Sequence, residues 1–301
     1  MEIRKLGNKR QIISAYELEL KDGPAYGKKC VLVHNGRLEV MFNADNALDI
    51  AWVKFNGVNV SFLSKNGLNS NDGIFKNRFD GGFLYTCGLD NVSAVEKDKA
   101  IHGSLHARKA QNVRYEIEGE KVTVKAEILN TALFGENLMF YRSYEVYADK
   151  IIVNDTAVNE GFKDTDCALI YHTNFGYPFL DSGIDVEFDA KETIPANKKS
   201  VDTINQCKII TEPEDIGSED LFYHVMKEGK VTLTNKKVGI KCTMLYDTKT
   251  FPYTLEWKNL FSGDYVLGIE PSTTRFDEYK KIPLAPGQKQ EFKMSVCFEN
   301  V

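Results

Sequence analysis

The chain is predicted to fold as an all-β protein, a large antiparallel β-sandwich in which residues 1–301 form one domain. Three observations predict this. Hairpin signatures recur along the whole chain, helical periodicity is nearly absent, and the loops that mark nucleotide-binding α/β folds are missing. In CVLVHNGRLEVMF, Cys30 to Phe42, two β-rich runs flank Asn35-Gly36, a pair suited to a tight hairpin turn. The pattern returns in WVKFNGVNVSFL around Asn56-Gly57. In VRYEIEGEKVTVKAEIL, Val122, Val124 and Ala126 alternate with Thr123, Lys125 and Glu127, so one face packs and the other meets solvent or a second layer. YRSYEVYADKIIVNDTAV and KVTLTNKKVGIKCTMLY predict two more hairpins, and EFKMSVCF the last strand. Only SEDLFYHVMKEG reads as helical, for a turn or two. Neither long βαβ alternation nor a Gly-rich dinucleotide or phosphate loop occurs, which argues against Rossmann and P-loop chemistry. With 301 residues, 43% hydrophobic and 11% aromatic, the chain can bury a large core, and no linker or repeat divides it.

Net charge is −5, from 38 basic and 43 acidic residues spread along the chain. No basic run marks a nucleic-acid footprint, and the balance favours a small uncharged ligand. The N-terminal MEIRKLGNKRQ lacks the apolar stretch of a signal peptide, and no segment approaches the ~20 apolar residues of a membrane helix. Cys30, Cys87, Cys167, Cys207, Cys242 and Cys297 are widely separated, without a CxxC pair. Free thiols in a cytoplasmic protein explain them better than disulfides or zinc. The expectation is a cytoplasmic protein without membrane or nucleic-acid partner; the oligomeric state is not readable.

Four irregular segments interrupt the strands: Lys65 to Asn91, Ile101 to Ala110, Tyr171 to Gly183 and Glu256 to Arg275. Each mixes polar or ionisable residues with aromatics, the combination a sugar site needs for C–H faces and hydroxyls. His172, in LIYHTNFGYPFLD, is placed at the end of an apolar run, where an imidazole can reach a cleft and titrate near neutrality; a structural strand-end histidine is the alternative. Glu270 follows the apolar run YVLGI, with Pro271 ending regular pairing. It reads as a buried acceptor or as a base raised by desolvation. His102 and His106, in AIHGSLHARK, have no evident third metal ligand nearby and read as loop donors to a ligand, so no metal is expected. Arg78 and Asp90-Asn91 bracket GGFLYTCGL, and Trp257 is either a stacking platform or core. His224 reads as a packed neighbour.

The ordered segments RFDGGFLYTCGLDN, IHG, ALFGENLMFYR, VNEGF, YHTNFGYPFLD and EWKNLFSGDYVLGIEP resemble the aldose 1-epimerase, or galactose mutarotase-like, family, and most closely its little-characterised bacterial branch. The resemblance spans most of the chain and implies a β-sandwich isomerase that interconverts the anomers of a free aldose without cofactor or metal. It implies that His172 is the general acid and Glu270 the general base, on opposite sides of the C1–O5 region. It places His102 and Arg78 on the sugar, and Asn91, Asn174 and Trp257, from the irregular polar–aromatic segments, are expected to bind it with them. His224 lies where many relatives carry an aspartate and histidine close together, which leaves open whether Asp220 or His224 faces the sugar. HGSLH stands in place of the usual HGG, so the identity of the sugar does not carry over. The alternatives are a non-catalytic sugar-binding protein, a glycan-cleaving enzyme, or a sugar-phosphate mutarotase that would draw on Arg78, Arg108, Arg142 or Lys258.

Overall fold

The predicted hairpins close at the predicted turns. Gly36 adopts φ +59° between β2 (Lys29–Asn35) and β3 (Leu38–Asn43), while Asn56 and Gly57, at +52° and +80°, join β4 (Asp49–Phe55) to β5 (Val58–Asn59). Consecutive left-handed residues match the twist of paired strands, which is why Asn-Gly is favoured there. With β1 (Ile13–Glu19), these strands form an antiparallel sheet in the order β1-β2-β3-β4-β5. The computed structural model describes residues 3–70, 74–96 and 99–301. Residues 71–73, inside the first irregular segment, lie outside them.

The second sheet comprises β6 (Leu84–Leu89), β7 (Ala110–Glu118), β8 (Lys121–Thr131), β9 (Asn137–Val146), β10 (Lys150–Asn159), β11 (Thr165–Gly176) and β12 (Asp185–Pro195). It continues with β13 (Asp220–Asn235), β14 (Ile240–Tyr246), β15 (Tyr253–Phe261), β16 (Asp264–Ser272), β17 (Ile282–Leu284) and β18 (Lys289–Asn300). Its path runs β17-β11-β16-β15-β13-β14-β18-β10-β9-β8-β7, with β6 added to β11 and β12 to β13. The α-helices among the described residues are short, α1 (Phe75–Arg78) and α2 (Lys198–Asp202). Among the described residues no helix is long and apolar enough to cross a membrane. The six cysteines are free.

One continuous core lies between the sheets, joining Val33, Val40, Phe42 and Phe55 of the smaller to Val124, Phe140, Val153, Leu233, Ile269 and Phe298 of the larger. A buried polar network crosses it. Arg142 on β9 forks onto Asp155 of β10 (3.1 and 2.7 Å) and reaches Asp49 of β4 (2.5 Å) and Thr86 of β6 (2.8 Å). Tyr171 donates to Asp155 (2.7 Å), and His106 Nδ1 meets Asp49 Oδ2 (2.6 Å). Burial alone would push the Asp49 carboxyl up, but Arg142 and His106 hold it below the usual carboxylate range. The network therefore ties the two sheets together through ionisable groups buried away from water.

Three local expectations are corrected. SEDLFYHVMKEG is not helical: from Asp220 it is the start of β13, and Phe222, Tyr223, His224 and Met226 are all buried, so apolar residues on both faces hid the strand period. His172 stands in the interior of β11 rather than at its end. Pairing also runs past Glu270, since Pro271 and Ser272 still register with Thr254 and Tyr253 of β15.

Candidate active site

On the face of the large sheet turned away from the main core, β6, β11, β16, β15 and β13 lie side by side. Alternation along each strand decides which residues stand there. Leu84 of β6 packs into the main core and Thr86 points inward to the polar network, while Tyr85 and Cys87 point outward. Likewise Leu169 and Tyr171 of β11 point inward, and Ala168 and Ile170 outward. His172 continues the outward row of β11, directly opposite Tyr85, and Glu270 continues the outward row of β16. Their side chains meet, His172 Nε2 to Glu270 Oε1 at 3.3 Å. Gly268, two residues before Glu270, leaves the space that the carboxyl occupies: a Cβ there would lie 2.7 Å from Glu270 Oε1 and 3.2 Å from Trp257 Cβ.

Aromatic rings wall the pair. The His172 ring centroid lies 5.4 Å from Trp257, 6.0 Å from Phe79, 6.0 Å from His102 and 6.2 Å from Tyr85. Phe75 of α1 stacks on His102 at 4.3 Å, nearly parallel. His172 and Glu270 retain 5% and 1% of their accessible surface. Burial, and then the charge of Glu219, holds the Glu270 carboxyl well above the carboxylate range. Burial, then His102, pushes His172 down to about 3, against a smaller favourable contact from the Asn174 side chain. His102 is held at about 4 by burial, the Arg78 charge and His106. Burial thus shifts both groups toward their neutral forms, the carboxyl upward and the imidazole downward.

The structure brings together His172, Glu270, His102, Trp257 and Asn174, and sets Arg78 close enough to act on His102 and Tyr85. Asn174 donates to the Gly82 and His172 carbonyls, leaving its buried Oδ1 without a hydrogen-bond partner. Asn91 is different. Its amide is spent inside its own loop, on the Ser93 and Ala100 carbonyls and the Ser93 N–H, and it acts by shaping the turn against which Gly103 packs. His224 is not part of the cluster. Leu255 registers with both Tyr223 and Glu270, so His224, one residue on, faces the other side of the sheet, where it meets Glu256 at 2.9 Å and Thr193 at 3.0 Å. Asp220 points the same way and accepts from Thr203 (2.6 Å).

The carboxylate that does face the site is Glu219, which accepts from the Trp257 indole at 2.8 Å. Sequence reasoning missed it, as it missed Tyr85, Phe75, Phe79 and Gly268. Tyr85 stacks on His106 at 3.6 Å, and His106 is held between Asp49 and Asp80 (2.6 and 3.6 Å), so the polar network underlies the site wall. Nδ1 of His106 is taken by Asp49, which sets the ring in the polar network beneath the site wall. Among the described residues no group of three His, Cys, Asp or Glu side chains converges as a metal site. Of the cations considered for phosphate, Arg142 is consumed by the network and Lys258 by the Gln206 carbonyl (2.7 Å), while Arg108 turns to the Thr131 carbonyl (3.1 Å).

Solved structures share this fold. A Klebsiella pneumoniae protein proposed to be an aldose 1-epimerase superposes with a TM-score of 0.84 at 16% identity, covering 96% of this chain and 88% of that one. A galactose mutarotase-like protein of Clostridium acetobutylicum gives 0.72 at 17% identity, covering 97% and 100%. The galactose 1-epimerase of Lactobacillus acidophilus gives 0.69 at 13%, covering 96% and 99%. At such identities the likeness establishes the mutarotase-like β-sandwich. No curated protein matches the chain in sequence. The family model described as domain of unknown function DUF4432 matches residues 25–295, and the chain belongs to that family.

Proposed function

We propose that the protein interconverts the α and β anomers of a free aldose, with Glu270 and His172 as a bifunctional acid/base pair. The observation that carries this reading is their 3.3 Å contact among the rings of Trp257, Phe79, His102 and Tyr85. Mutarotation removes a proton from the anomeric hydroxyl and delivers one to the ring oxygen. Both oxygens are bonded to C1, so two adjacent groups on one side can serve them, in place of the opposed arrangement that the resemblance implies. A raised carboxyl and a lowered imidazole favour the reverse of the implied roles. Glu270 gives its proton to O5 as the C1–O5 bond breaks, and His172 takes the O1 proton as the aldehyde forms. Rotation about C1–C2 and the reverse transfers close the ring in the other configuration and restore the pair. Burial strengthens each transfer, and a raised carboxyl and a lowered imidazole keep both groups in the form they need.

Exchange NMR across a panel of aldoses tests the reading. Anomer interconversion above the buffer rate is expected for at least one sugar, and its absence for every sugar that binds overturns the proposal. The pair works while it holds one proton, so the rate should fall on both sides of a plateau: on the acid side as His172, pushed down to about 3, takes up a proton, and on the alkaline side as the carboxyl that burial raises loses its own. A rate without either limb would remove the pair from the reaction. Gly268→Ala is expected to push the carboxyl off His172 and slow exchange about tenfold or more, the scale of one misplaced proton transfer. Melting curves check that the variant folds, because the new Cβ meets Trp257 Cβ at 3.2 Å as well as the end of the Glu270 side chain.

A further inference from the structure

The start of ALFGENLMFYR and the end of VNEGF have no place in the candidate active site. They form the β8–β9 and β10–β11 loops, joined at one end of the large sheet by the Glu160 N–H, which donates to the Asn137 carbonyl at 2.9 Å. There Leu133, Phe134 and Phe162 are 86%, 98% and 99% exposed. Single exposed apolar residues are ordinary, but two fully exposed rings and a leucine on adjoining loops mark an interaction surface. Phe134 holds φ +62°, a left-handed backbone that glycine or asparagine adopts more easily, so the turn is strained to present its ring to solvent. The second loop is fixed from below. Buried Asn159 donates to the Lys163 and Leu284 carbonyls (2.8 and 2.9 Å) and accepts from the Gly161 N–H (2.9 Å). Between the loops runs a cleft of about 430 Å³ whose lining includes Phe134, Phe162 and three charges, Glu136, Lys163 and Asp164. Among the described residues no ion pair ties these three charges to one another or to the rest of the chain.

We propose that this patch is the interface of a twofold-symmetric homodimer, in which the Phe134 ring of each copy enters the cleft of the other. Projecting ring and receiving cleft belong to one surface, the condition for an interface that closes on itself rather than growing into a chain of copies. The charges obey the same rule. A cleft that carries both signs is complementary to itself, so Lys163 of each copy can meet Glu136 and Asp164 of the other. Four phenylalanine rings at about 150–250 Å² each bury roughly 600–1,000 Å², and both Leu133 side chains with the charged rim bring the total near the ~1,200 Å² at which standard interfaces begin. An interface of that size gives a dimer in equilibrium with its monomer. A lipid surface suits the patch less well, because two of its three charges are carboxylates and oppose an anionic leaflet.

Sedimentation velocity of the full chain from about 1 to 300 µM tests the proposal, the span over which an interface at the small end of the standard range dissociates. A concentration-dependent shift from monomer to dimer is expected. Phe134→Asn, which suits the left-handed turn, and Phe162→Ser should each raise the dissociation constant by about tenfold or more, the effect of losing one central aromatic side chain. Lys163→Glu makes the charges of the cleft wholly acidic, and a variant carrying Glu136→Lys and Asp164→Lys makes them wholly basic. Each should remain monomeric alone, and the two mixed should recover a heterodimer, a pattern that only a self-complementary patch gives. Melting curves identify variants that fail to fold, and the aromatic and charge variants test the interface independently. A chain that stays monomeric over the whole range, or a dimer indifferent to all of these substitutions, overturns the proposal. A monomeric chain that binds phosphatidylcholine vesicles through Phe134 also overturns it and assigns the patch to a lipid surface.

Discussion

Replacing Glu270 by Gln is expected to slow anomer exchange about 10²–10⁴-fold, the usual worth of one positioned proton transfer. Gln keeps the shape of the side chain and can still point an N–H at His172, but it has no proton to give to O5. His172→Gln should have an effect of the same size, since the anomeric proton then has no acceptor. The two transfers belong to one step, so the double variant should be little slower than either single one. Affinity should change much less, because hydroxyl contacts and ring stacking come from other side chains. Exchange rates and dissociation constants measured on the same folded proteins decide the matter. Wild-type exchange in both variants, on a sugar the native protein turns over, would make the 3.3 Å contact a structural one.

How far the site was legible follows from where its signals lie. Asn-Gly turns and period-2 runs are local, so the hairpins at Asn35-Gly36 and Asn56-Gly57 could be read directly. His172 and Glu270 were found as titratable residues in apolar runs, but their environment was misjudged. A strand buried on both faces has no polar side to announce its direction, so β11 and β16 seemed to end where they continue. For His224 the sequence left the facing open, and the structure packs its ring 4.5 Å from Phe188 on the other side of the sheet. Tyr85 and Phe79 look like ordinary core residues in sequence, and only register across β6 and β11 shows that Tyr85 stands opposite His172. Gly268 carries no sequence signal beyond being a glycine in a strand, which does mark a close approach of neighbouring groups. Arg142, considered as a phosphate ligand, illustrates the converse: a charged residue in an alternating strand is expected outward, and its two carboxylates come from β4 and β10, 93 and 13 residues away.

Arg142 is also where the largest loss of stability is expected. Its side chain is fully buried between Asp49 and Asp155, so Arg142→Met removes the cation and leaves two carboxyls facing each other without water. Breaking a buried ion pair in this way costs about 3–5 kcal/mol. The loss should depend on pH with a definite sign. Burial already pushes the Asp155 carboxyl up despite Arg142, and without the guanidinium it rises further. A group whose folded value lies above its unfolded one contributes stability at low pH and loses it as pH rises through that value. The deficit of the variant should therefore be smaller at pH 5 than at pH 7 in urea unfolding, with an unchanged slope against denaturant. Exchange activity should fall as well, because Asp49 holds His106 and His106 supports the Tyr85 ring beside His172. A deficit below about 1 kcal/mol, the worth of an exposed pair, at both pH values would show that the network contributes no more than surface charges do.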